Sequence, residues 1–153
     1  MDGGFKTFSE VISFAVMREE ESHEFYKYLA ETTATPFLQT LFNDFAKEEL
    51  QHKQALLDLD IGALEKALSK ILDKQDDLGI ASEKEHVVPD PAMDFEDGLV
   101  LAMQREDKAF ELYSLLAELS LDDDISILFL GLAKEEKQHR VQIEKTYQSL
   151  YDK

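Results

Sequence analysis

The chain has 153 residues, enough for one domain with a buried core, and 33 acidic against 16 basic side chains give it a formal net charge of −17. That balance excludes a nucleic-acid binder, which needs a basic face, and argues against an anionic membrane surface as partner. The lack of any cysteine excludes disulfides, zinc ribbons, iron–sulfur clusters and thiol chemistry. No apolar run approaches the ~20 residues of a membrane span. The opening Met1-Asp2-Gly3-Gly4-Phe5-Lys6 lacks the profile of a signal peptide, so a cytoplasmic location is expected.

Thr7-Phe8-Ser9-Glu10 reads as a capping box that opens the first helix. The stripe that follows, Ile12, Ala15, Glu19, Ser22, Tyr26 and Leu29, runs at alternating spacings of three and four and places Glu19 among apolar residues. This helix should end near Thr32 or Thr33. Thr35-Pro36 then supplies an N-cap and a proline in the first helical position. The second helix carries Leu38, Phe42, Phe45, Glu49, His52, Leu56 and Leu59 on one face, with Phe42 and Phe45 as packing residues.

Residues 62–78 keep a helical rhythm, and residues 79–91, with one glycine and two prolines, read as part of one long connection. His86 falls in that stretch and has no assigned role. A third helix begins near Asp94-Phe95 and carries Leu99, Ala102, Glu106, Ala109, Tyr113 and Leu116. Asp122-Asp123-Asp124 suits the positive end of a fourth helix, which shows Leu128, Leu132, Glu136, His139 and Ile143, with Phe129 in the core. No segment alternates with period two, so no sheet is expected. Four helices of about 25 residues, each roughly 37 Å long, form an antiparallel bundle.

The second half repeats the first. Phe45-Ala46-Lys47-Glu48-Glu49-Leu50-Gln51-His52 lies over Leu132-Ala133-Lys134-Glu135-Glu136-Lys137-Gln138-His139 at an offset of 87 positions. The same offset carries Glu19 onto Glu106 and Tyr26 onto Tyr113. Each repeat therefore holds one lone Glu and one Glu-x-x-His, whose two side chains share a helix face one turn apart. One copy is a weak signal. Two copies in register, with two lone Glu and all six residues in core stripes, describe a dinuclear metal centre.

Charge supports that reading. Four buried carboxylates converging without compensation would be hard to fold around. Two divalent cations balance Glu19, Glu49, Glu106 and Glu136, while His52 and His139 add nitrogen ligands, a donor set suited to iron or manganese. Tyr26 and Tyr113, two turns from Glu19 and Glu106, are placed to hydrogen-bond a ligating carboxylate and orient it. His23 has Phe110 as its repeat mate and reads as peripheral. Glu48 and Glu135, about 100° round their helices from the ligand positions, read as solvent-facing.

These residues resemble the ferritin-like superfamily and, within it, the rubrerythrin group. The likeness rests on Glu19 with Tyr26, Glu49-x-x-His52, Glu106 with Tyr113 and Glu136-x-x-His139, and covers most of the chain outside residues 60–94. It implies one ferritin-like domain over 1–153: a helix pair at 7–60, a crossover at 61–94 and a helix pair at 95–150. It implies two iron ions per chain, with manganese or mixed metal as alternatives. Glu49 and Glu136 would bridge, with Glu19 and His52, and Glu106 and His139, as terminal ligands.

The implied activity is that of a non-haem di-iron oxidoreductase, oxidising ferrous iron and reducing oxygen or hydrogen peroxide, in a homodimer. Two features depart from the group. Without cysteine there is no four-cysteine rubredoxin module, so electrons are expected from a separate donor protein. Ala109 stands where many rubrerythrins carry a further Glu, which makes the ligand set the symmetric kind of bacterioferritin ferroxidase centres. The sequence stops at Lys153 without the extra short helix common in ferritin cages, so a storage shell is not expected. An iron storage or delivery protein, and a helical interaction protein with a structural metal, are the competing readings.

Overall fold

The computed structural model describes residues 7–60, 62, 93–120 and 122–152. Among them lie four α-helices and no strand: α1 (Phe8–Thr32), α2 (Pro36–Leu57), α3 (Phe95–Leu119) and α4 (Asp123–Tyr151). The helical piece expected over 62–78, the irregular stretch 79–91 and His86 lie outside the described residues, Gly62 apart. Among the described residues no helix is long and apolar enough to cross a membrane.

Local chemistry sets the helix ends. The Thr7 hydroxyl accepts from the Glu10 backbone N–H at 3.1 Å, and the Glu10 carboxylate accepts from the Thr7 N–H at 3.2 Å, completing the capping box. Pro36 occupies the start of α2 after Thr35, whose side chain makes no capping bond. At α3 Asp94 accepts from the Asp97 N–H at 2.8 Å, and at α4 Asp122 accepts from the Ile125 N–H at 3.1 Å.

Cross-helix contacts show that the neighbours run antiparallel. Lys53 pairs with Glu20, and the Ala46 carbonyl meets His23 Nδ1 at 2.8 Å, so α2 descends as α1 rises. In the second hairpin Ser126 bonds the Ala117 carbonyl and Tyr147 bonds Glu96. Across the bundle Gly98 meets Leu29 while Tyr113 meets Glu19, which sets α3 against α1. The result is a ferritin-like helical bundle.

Among the described residues the core forms two apolar clusters. One gathers Val11, Ile12, Leu56, Leu116, Ile125 and Phe129 from the N-terminal parts of α1 and α4 and the C-terminal parts of α2 and α3. The other gathers Phe25, Leu29, Leu38, Phe42, Leu99 and Ile143 from the opposite ends. The buried polar residues Glu19, Glu49, His52, Glu106, Glu136 and His139 occupy the middle of the four helices.

Two helical glycines test the packing in opposite directions. A Cβ on Gly131 would meet nothing within 4 Å, so Gly131→Ala should gain helix propensity alone. We expect about 1 kcal/mol of stabilisation, or a Tm rise of about 2–4 °C in thermal unfolding. A Cβ on buried Gly98 would lie 2.8 Å from the Leu29 methyl, and Leu29 is itself fully buried, so Gly98→Ala should lower Tm.

Candidate metal centre

Helical periodicity puts one lone Glu on α1 and on α3, and one Glu-x-x-His on α2 and on α4; the bundle turns all of them inward. All six side chains are buried, none more than 3% exposed. Their donor atoms form two quartets, Glu19, Glu49, His52 and Glu136, and Glu49, Glu106, Glu136 and His139, within which the atoms lie no more than 4.8 Å apart. Glu49 and Glu136 belong to both. His52 Nδ1 lies 3.4 Å from Glu19, 3.2 Å from Glu49 and 3.3 Å from Glu136. His139 Nδ1 lies 3.7 Å from Glu49, 3.6 Å from Glu106 and 3.5 Å from Glu136.

Those spacings bear on whether the residues fit a metal. Donors about 2.0–2.2 Å from a shared ion sit about 3.0–3.5 Å from each other, the edges of a coordination polyhedron. Hydrogen bonding gives a second test. Both carboxylate oxygens of Glu49, both nitrogens of His52, Glu106 Oε2, Glu136 Oε1 and His139 Nδ1 are buried without a hydrogen-bond partner. Buried polar atoms are rarely left so, and here they converge on one place. The donor set fits a metal site.

The electrostatics of the metal-free cluster agree. Burial, then the Glu136, Glu19 and Glu106 charges, push the Glu49 carboxyl well above the usual range. Burial, then Glu106 and Glu19, raise Glu136 to about 8. Burial opposes the charged imidazoles, yet the close carboxylates of Glu136, Glu19 and Glu49 raise His52, and those of Glu106 and Glu48 raise His139 to about 10. Without metal, protons supply the missing positive charge.

Tyr26 and Tyr113 serve the cluster crosswise. The Tyr26 hydroxyl donates to Glu106 and the Tyr113 hydroxyl to Glu19, so each phenol reaches the carboxylate of the other repeat. Burial, followed by those carboxylates, holds both phenols well above their ordinary value, so both remain donors. His23 sits at the periphery, bonded to the Ala46 carbonyl, as its position implies.

The expectation that Glu48 and Glu135 face solvent needs correction. Glu48 accepts from His139 Nε2 at 2.9 Å, and Glu135 Oε2 approaches His52 Nε2 at 3.5 Å. Each side chain is about two-fifths exposed, at 39% and 44%, so each spans from cluster to surface. The cause is geometric: a position 100° off the core stripe faces water only if no helix lies on that flank, and α2 and α4 flank each other. Arg105 also went unremarked in the sequence. It is buried, bonds Ser22 Oγ at 3.0 Å and the Arg18 carbonyl at 3.4 Å, and lies over the Phe25 ring. Its register with Arg18, 87 positions earlier, was the available signal.

A family model described as Rubrerythrin matches residues 10–139. Among solved structures the chain is similar to a hypothetical protein from Pyrococcus furiosus, with 26% identity over 94% of this chain and 89% of that one and a TM-score of 0.67. Comparison with curated proteins finds no match.

Proposed function

This chain belongs to the rubrerythrin family, and we propose that its buried cluster holds two iron ions and that the protein is an oxidoreductase. It would oxidise ferrous iron while reducing oxygen or hydrogen peroxide, with electrons restored by a separate donor protein. One observation carries the reading: two four-residue donor sets, both buried, share Glu49 and Glu136. Glu49 and Glu136 would be shared between the two ions, with Glu19 and His52 serving one and Glu106 and His139 the other. When bound, iron supplies the electrons and polarises the oxidant. Reducing one peroxide to two waters takes two electrons and two protons.

The chain's own residues prepare that reaction. Four carboxylates neutralise the charge of two dications. Tyr26 and Tyr113 each donate to a terminal carboxylate and so hold its orientation. His139 donates from Nε2 to Glu48, so the proton an ion displaces is the one on Nδ1, the nitrogen that faces the cluster. The apolar residues on either side exclude water.

The test is metal content by plasma mass spectrometry on protein purified without chelators or a histidine tag, followed by peroxide consumption by the ferrous-loaded protein. We expect close to two iron ions per chain and about one peroxide consumed for each pair of ferrous ions oxidised. Failure to bind two ions in an anaerobic ferrous titration would overturn the site. Binding of two ions without oxidant consumption would favour a structural metal, and a large hollow assembly would favour storage.

A further inference from the structure

The two Glu-x-x-His segments are near copies in sequence, but their imidazoles are not held alike. On one side, His139 Nε2 donates to Glu48 at 2.9 Å. The Phe45 ring stacks against the same imidazole, centroids 4.1 Å apart and planes inclined by 26°, and Tyr26 meets it edge-on at 6.1 Å. On the other side, His52 Nε2 is buried without a hydrogen bond, with Glu135 3.5 Å away. The position equivalent to Phe45, 87 residues on, is the aliphatic Leu132. The outer contact of His52 is thus the longer of the two, 3.5 Å against 2.9 Å, and its Nδ1 lies nearer its carboxylates, at 3.2–3.4 Å against 3.5–3.7 Å for His139.

The geometry points to two unequal metal positions: the one formed by Glu49, Glu106, Glu136 and His139 fills first and holds its ion longer, while the one formed by Glu19, Glu49, His52 and Glu136 exchanges. This rests on the dinuclear reading above. Donation from Nε2 to a carboxylate fixes the tautomer that leaves Nδ1 free to ligate, and raises its basicity. A stacked ring fixes the orientation of the imidazole, so less freedom is lost when an ion binds. Glu48 and Phe45, both on α2, are thus positioning residues that act across the bundle on a ligand of α4. Their repeat mates give His52 no equivalent support.

Zinc, redox-inert and diamagnetic, is the probe. The full chain is titrated by calorimetry and by NMR of its assigned histidine rings. In the unmodified protein the first equivalent should shift His139 before His52, and the isotherm should resolve two steps. Glu48→Ala should weaken the first step by about 10–100-fold and draw the two steps together. Glu48→Gln, which keeps an acceptor oxygen, should restore most of the gap, and Glu135→Ala should leave the first step unchanged. Phe45→Leu, which copies the residue of the other repeat, should also narrow the gap. Simultaneous filling, His52 shifting first, or Glu135→Ala matching Glu48→Ala would each overturn the inequality with the dinuclear site intact. Uptake of fewer than two zinc ions would overturn the dinuclear reading, and the inequality with it.

Discussion

Replacing Glu49 or Glu136 by alanine is expected to abolish cooperative binding of two metal ions while leaving the helical content largely intact. Both residues contribute to both donor sets, so one substitution removes a ligand from each position at once. The loss should exceed the roughly 10–100-fold that follows removal of an outer partner. The helices should survive because the apolar clusters on either side of the polar layer do not depend on it. Glu49→Gln sharpens the point. Burial and three neighbouring carboxylates disfavour the charged form of Glu49 in the metal-free chain, so an amide of similar volume removes electrostatic strain at little packing cost. Metal-free Glu49→Gln should therefore melt no lower than the unmodified protein, yet gain far less from added metal. The checks are ferrous or zinc titration for stoichiometry, circular dichroism for helix content and thermal melts with and without metal. Stoichiometric binding of two ions by either alanine variant would overturn the ligand assignment.

The second large effect is the stability that metal confers and its dependence on pH. A site held at a thousand times its Kd adds about 4 kcal/mol, which for a chain of this size raises Tm by about 8–16 °C. Removing metal with a chelator should lower Tm by at least that much at pH 8. The sign of the pH effect follows from the folded-state values. Glu136 stands at about 8 against an ordinary value of 4.5, so between those limits the metal-free folded chain binds protons that the unfolded chain has released. His139, at about 10 against 6.5, does the same over its own higher range. Metal-free stability should therefore fall as pH rises from 5.5 to 8. Bound metal displaces those protons, so the metal-loaded chain loses less, and the Tm gap widens with pH. A gap that narrows from pH 5.5 to 8 would contradict the protonation scheme.

Much of this protein was determined by its sequence alone. Spacings of three and four residues defined the core stripe of each helix, the capping residues placed the helix starts, and the 87-residue repeat brought Glu19, Glu49, His52, Glu106, Glu136 and His139 to notice as a set. These features were legible because periodicity is a property of one helix at a time: it tells which face is buried without reference to a neighbour. What periodicity cannot tell is which element lies across from that face. Only the packing decided that Tyr26 serves Glu106 and Tyr113 serves Glu19, each in the opposite repeat. Only the packing turned Glu48 from an expected surface residue into the partner of His139, because α4 lies on the flank that a single-helix view assigns to water. The difference between Phe45 and Leu132 was visible in the sequence but carried no meaning there. It acquires one when a ring on α2 is found against an imidazole on α4, since stacking is a relation between two helices and neither sequence copy contains it alone.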